Sequence, residues 1–147
     1  MGDIPYNKPK KMNNTSNSYY VGDLDKYKNR SGIGTLYNIS DDTVIYRGQW
    51  IGGKAYGCGN LYNNGRLVYS GGWMCGKRHG FGEAFYEEEG PLHRLYSGGW
   101  KDGQFAGDGI MYYPGERIMY DGKFENNLPY GKEGMYFDSH GERKYNN

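Results

Sequence analysis

The side chains able to ligate a metal or act as a nucleophile are few here: His79, His93, His140, Cys58 and Cys75. Structural zinc sites repeat cysteine or histidine at spacings of roughly two to five residues. Neither type does so here; Cys58 and Cys75 stand 17 residues apart. No serine, histidine and aspartate fall in a nucleophilic context. The run Glu87-Glu88-Glu89 reads as a solvated turn, the usual fate of a short charge run. These residues point away from catalysis, and the expectation is a non-enzyme with no cofactor and no metal. Two thiols make at most one disulfide, and no leader pattern opens the sequence. The reading is therefore free thiols in a reducing, cytoplasmic setting, where the chain is cytoskeletal, assembly-bound or membrane-associated.

What the chain repeats is a structural pattern. Tyr-x-Gly-x-(Trp/Phe/Leu) begins at Tyr20, Tyr46, Tyr69, Tyr96 and Tyr120. A second half, Gly-x-Gly in the first four copies, begins at Gly32, Gly57, Gly80, Gly107 and Gly131. The distance from each Tyr to that Gly is 12, 11, 11, 11 and 11 residues, while the copies recur at 26, 23, 27 and 24. A constant inner distance with a loose period describes one rigid unit joined by variable turns. Units this short cannot bury a face alone and must stack.

Within a unit the residues alternate as a strand does. Tyr46, Gly48 and Trp50 share one face, with Arg47 and Gln49 on the other. Gly52-Gly53-Lys54 signals a turn, and a second strand follows through Tyr62. Nothing carries a 3.6-residue apolar period. The fold class expected is all-β: an elongated, single-layer, twisted sheet of stacked β-hairpins. The units are placed at about 20–37, 46–62, 69–86, 96–112 and 120–137, within a repeat region of 19–137. Residues 1–18 read as a flexible polar tail and 138–147 as a turn and partial strand. Glycine inside a strand marks a bulge or a close approach of backbone. Here its expected role is to leave room for the aromatic ring of the next hairpin, so that the rings run as one row.

Composition agrees. The 147 residues hold 26 Gly, 17 Tyr and 3 Trp with a net charge of +1. Glycine averages roughly 7 % of residues, and the excess falls at the repeat positions. No basic patch or stripe marks a nucleic-acid partner. No run reaches the roughly 20 apolar residues of a membrane span. No helix pattern follows any Gly-x-Gly, as the dinucleotide fingerprint requires.

The pattern Tyr-x-Gly-x-Trp-x-x-Gly-x-x-x-Gly-x-Gly, matched closely by Tyr69 to Gly82, resembles the MORN (membrane occupation and recognition nexus) repeat. The resemblance covers residues 20 to about 137. The first copy departs at Leu24; the fifth departs at Phe124 and at Gly131-Lys132-Glu133-Gly134. It implies an elongated sheet with a groove along one face, serving as a scaffold or targeting module, and brings no catalytic residues. A protein partner, an extended segment or a helix, is expected in an aromatic groove at Tyr46, Trp50, Tyr69, Trp73, Tyr96 and Trp100, since such rings are enriched at interface hot spots. The same rings have a second use, stacking between hairpins. A structural subunit would bind through its tails instead. The open sheet ends invite association with further copies. The alternative is weak contact with anionic phospholipid through Lys8, Lys10 and Lys11.

Overall fold

A computed structural model describes residues 17–145. Eleven antiparallel strands form one open sheet in chain order, with no helix among the described residues. They are β1 (Ser18–Leu24), β2 (Arg30–Asn38), β3 (Val44–Ile51), β4 (Lys54–Asn63), β5 (Arg66–Met74), β6 (Lys77–Phe85), β7 (Arg94–Lys101), β8 (Gln104–Tyr112), β9 (Ile118–Glu125), β10 (Leu128–Phe137) and the short β11 (Arg143–Lys144). The five repeat copies are the hairpins β1β2, β3β4, β5β6, β7β8 and β9β10. The last turn is held by the Asp138 carboxylate, which accepts from the backbone N–H of His140 and Glu142 at 2.9 Å each.

Tight turns make the meander. Gly52-Gly53, Cys75-Gly76, Asp102-Gly103 and Asn126-Asn127 all have positive φ at both positions. That is the type I′ pattern, whose twist matches the flanking strands and which favours Gly, Asn and Asp. Asn64-Gly65 turns β4 into β5 the same way.

The two glycines of Gly-x-Gly have separate jobs. The first, at Gly32, Gly57, Gly80 and Gly107, has φ of 69°, 78°, 80° and 70°. It sits in the bulge where the second strand carries more residues than the first, as between Gly48/Trp50 and the paired stretch 55–59. The second glycine belongs to a row crossing the sheet. Gly22 faces Gly34, Gly34 faces Gly48, and the pairing continues through Gly59, Gly71, Gly82, Gly98, Gly109 and Gly122. Gly134 extends the row beside Gly122.

A Cβ on Gly59 would overlap the Tyr46 ring, and one on Gly82 the Tyr69 ring. The ring laid over each glycine is therefore the tyrosine of its own hairpin, not the aromatic of the next one as the sequence suggested. The reason is reach. Tyr46 and Gly59 stand two residues apart along paired strands, and the ring folds back across that gap. What the next hairpin supplies is an indole N–H.

A single layer has one covered face, so the core lies on the glycine side. It comprises Tyr46, Trp50, Tyr69, Trp73, Tyr96, Trp100, Tyr120 and Phe124, with Ala55 and Ala84. The opposite face alternates with it. Its central row reads Thr35, Arg47, Asn60, Ser70, Glu83, Ser97, Ile110 and Asp121 across β2 to β9.

Candidate functional site

The six rings expected to line a groove stand together in one zipper. Contacts alternate between Tyr and Trp: Tyr20–Trp50, Trp50–Tyr46, Tyr46–Trp73, Trp73–Tyr69, Tyr69–Trp100 and Trp100–Tyr96, all edge to face at 4.9 to 5.4 Å. Phe124 and Tyr120 continue it. Edge-to-face pairs add about 0.5–1.5 kcal/mol each beyond burial. The six rings are 0 to 9 % exposed. Their surfaces are taken up by one another, and the solvent meets their margins.

Their polar tips are also engaged. Each tyrosine hydroxyl donates to the carbonyl three residues on, from Tyr46 to Gln49 at 3.0 Å, Tyr69 to Gly72 and Tyr96 to Gly99 at 2.7 Å. The indole N–H groups of Trp50, Trp73 and Trp100 donate to the carbonyls of Gly34, Gly59 and Gly82, each at 3.0 Å. Every tryptophan thus ties its hairpin to the previous one at the second glycine of Gly-x-Gly. Burial pushes Tyr46, Tyr69 and Tyr96 up to about 12. Arg78 lies over Tyr69 and Trp100, and Arg30 over Tyr20 and Trp50. Burial lowers the Arg78 pKa.

Lys8, Lys10 and Lys11 lie outside the described residues. Cys58 and Cys75 are free, exposed thiols. Among the described residues no group of three or more His, Cys, Asp or Glu is set to hold a metal. No helix there is long and apolar enough to cross a membrane. The run at Glu87 is partnered across a repeat, where Glu87 accepts from the Asn63 amide at 2.9 Å.

Two edge ladders went unread in the sequence. At the hairpin tips, the N–H of Gly53, Gly76, Gly103 and Asn127 donates to the carbonyl of Arg30, Ala55, Arg78 and Phe105. At the opposite edge Arg94 pairs with Glu116 at 3.1 Å and with Glu83 at 3.6 Å. The hydrogen bond from Arg94 lowers the Glu116 pKa. Only the recurrence at 21 to 25 residues could have signalled the first ladder. The tips of the first three hairpins are cationic, with Lys26, Lys28, Arg30, Lys54, Lys77 and Arg78 against Asp25.

No protein-family model matches this chain, and no curated protein matches it significantly.

Proposed function

We propose that the chain is a non-catalytic scaffold of MORN type, a surface that holds a protein partner or joins a larger assembly. One observation carries this reading. The ring face is filled by its own side chains, while among the described residues the sheet has no second layer. From β2 to β9 the opposite face is therefore covered by no other described element, and it is the surface this reading offers to a partner. The ionisable groups support it too, being spread over turns, edges and the open face rather than gathered at a cleft. On this reading the zipper provides a rigid ruler with a hairpin every two strands, about 10 Å, and a partner meets its margins, its far face or its ends.

The chain, tagged and captured from its native source at moderate salt with and without detergent, tests the reading. A stoichiometric protein partner that survives detergent supports the scaffold. Removing residues 1–18 and 138–147 separates the ends from the faces: an assembly subunit loses incorporation, a face-binding scaffold keeps its partner. The cationic hairpin tips, with Tyr27 73 % exposed, favour one second reading, adhesion to anionic phospholipid. Recovery of membrane markers that detergent abolishes, with no protein left, would shift the proposal there.

A further inference from the structure

We propose that the face opposite the rings, over the first three copies, takes an amphipathic helix of a partner whose apolar stripe is flanked by carboxylates; this rests on the protein-binding reading above.

The repeat supplies its own control. The middle residue of Gly-x-Gly points away from the rings and is Ile33, Cys58 and Phe81 in copies one to three. In copy four the same position is Asp108. The residue after the Trp/Phe/Leu position is Ile51 and Met74 in copies two and three, but Asp25 in copy one and Lys101 and Glu125 in the last two. Ile33 and Phe81 are 67 % exposed, Ile51 60 % and Met74 41 %. The fold does not demand apolar side chains there, because later copies replace them with charge. These side chains lie on neighbouring strands of one face, with Gln49 between Ile33 and Cys58 accepting from the Cys58 N–H, and exposed apolar side chains gathered in this way mark interaction sites.

Phe81 is unscreened for a definite reason. It pairs with Gly99, and Gly72 stands on the adjoining strand. A Cβ on Gly72 would overlap the His79 carbonyl, and one on Gly99 the Ala106 carbonyl. The bulged backbone excludes side chains on both sides of the ring, which stands clear of the sheet.

Charge selects the occupant. Lys54 and Lys77 pair directly with Ile51 and Met74 at the tip side. Arg47 lies on the inner side, and Glu83 there is held by Arg94. Apart from Glu83, the nearby carboxylates stand at the ends of the patch, with Asp23 accepting from the Ile33 N–H and Asp108 on β8. A rim of cations round an apolar strip suits an acidic partner. The chain's own first sixteen residues carry Lys8, Lys10 and Lys11 against Asp3, the wrong sign for that rim.

Shape selects a helix. From Ile33 on β2 to Phe81 on β6 is four strand spacings, about 19 Å, the length of about 13 helical residues. The two side-chain rows span about 7 Å before their own bulk is added, which suits a cylinder about 10 Å across. An added strand would need an unpaired backbone edge. From β2 to β6 each strand is paired on both sides.

The test is selection of randomised 18-residue segments, displayed on phage, against the whole chain. Winning segments are synthesised and titrated by fluorescence anisotropy against the native chain and Phe81→Asp, Ile51→Asp and Glu125→Lys. Both aspartate variants sit at exposed positions and should keep the native circular dichroism. Expected are segments with apolar residues at i, i+3 or i+4 and i+7, flanked by Asp and Glu, that become helical on binding. Each aspartate variant should weaken them at least about tenfold, and Glu125→Lys should leave them unchanged. Segments flanked by Lys or Arg, or segments insensitive to both aspartate variants, overturn the inference while leaving a protein-binding scaffold standing. No segments, but capture by phosphatidylserine vesicles, overturns both. Sedimentation of the chain alone checks self-association: a dimer broken by Phe81→Asp would replace the helix with a second copy.

Discussion

At the scale of single residues, two glycines two positions apart should respond differently to the same substitution. Gly82→Ala puts a methyl group into the Tyr69 ring. The ring is fully buried and hydrogen-bonded, so it cannot yield cheaply, and overpacking of this kind costs about 1–3 kcal/mol. Gly80→Ala meets nothing within 4 Å but keeps φ of 80°, a left-handed backbone costing about 1–2 kcal/mol. Urea midpoints should therefore rank native, then Gly80→Ala, then Gly82→Ala; the reverse order would remove the ring-over-glycine account. Trp73→Phe keeps most of the apolar area but loses the N–H to the Gly59 carbonyl, a loss of about 1–3 kcal/mol. The tyrosines add a pH dependence. Unfolded they ionise near 10, whereas Tyr46, Tyr69 and Tyr96 do so near about 12 when folded. Folding thus retains protons that the unfolded chain releases. Stability is whole below pH 10 and falls as pH rises through 10 to 12, by about 1.4 kcal/mol per unit for each ring. A urea midpoint that stays flat over that window would show the hydroxyls to be wet.

At the scale of the hairpin, the contacts holding one unit to the next divide by strength. The Arg94–Glu116 pair is a surface contact, with side chains 35 and 38 % exposed. Screening keeps such pairs to about 0–1 kcal/mol, so Glu116→Gln should lower stability by no more than that. Because the folded carboxyl has its pKa lowered, the benefit exists above the ordinary glutamate range and fades as pH falls through the folded value. Native and Glu116→Gln chains should therefore converge in denaturation curves as pH falls below the ordinary glutamate range. This division also explains what was legible in the sequence. Period-two alternation at Tyr46, Gly48 and Trp50 and the turn glycines are local, and they gave the strands, the hairpins and the all-β class. The row of rings was legible because its spacing repeats. Which ring covers which glycine was not, since that depends on a bulge whose extra residues leave no compositional mark. Nor were the tip ladders: they join backbone to backbone, and any residue can donate, as Gly53 and Asn127 both do. The sequence did show aromatic bulk at the six candidate residues and left two uses for it, a groove or stacking; that the rings pack edge to face and bury one another came only with the fold.

At the scale of the molecule, stacked hairpins that touch only their neighbours behave as a nearly one-dimensional array. Each copy contributes its own turn and the interface to the copy before it. Such an array should survive loss of a whole unit if register is kept, and fail if it is not. Removing residues 72–98 joins Gly71 to Gly99 and rebuilds Tyr-x-Gly-x-Trp from Tyr69 to Trp100. Trp100 then stands where Trp73 does, above Tyr46 and in reach of the Gly59 carbonyl, and Tyr69 meets Phe124 as Tyr96 does now. Removing 72–97 instead leaves one extra glycine in the strand. One residue of slip moves every later side chain to the other face, taking Trp100 off the zipper and exposing it. The first chain should unfold cooperatively in urea with a slope reduced by roughly a fifth, following the surface it no longer buries. The second should show weak, non-cooperative change and solvent-exposed tryptophan emission. If both chains fold equally well, the rings do not set the register and the sheet is held by its turns and backbone alone. If neither folds, the copies are not interchangeable, and the array is one cooperative body rather than a sum of neighbours.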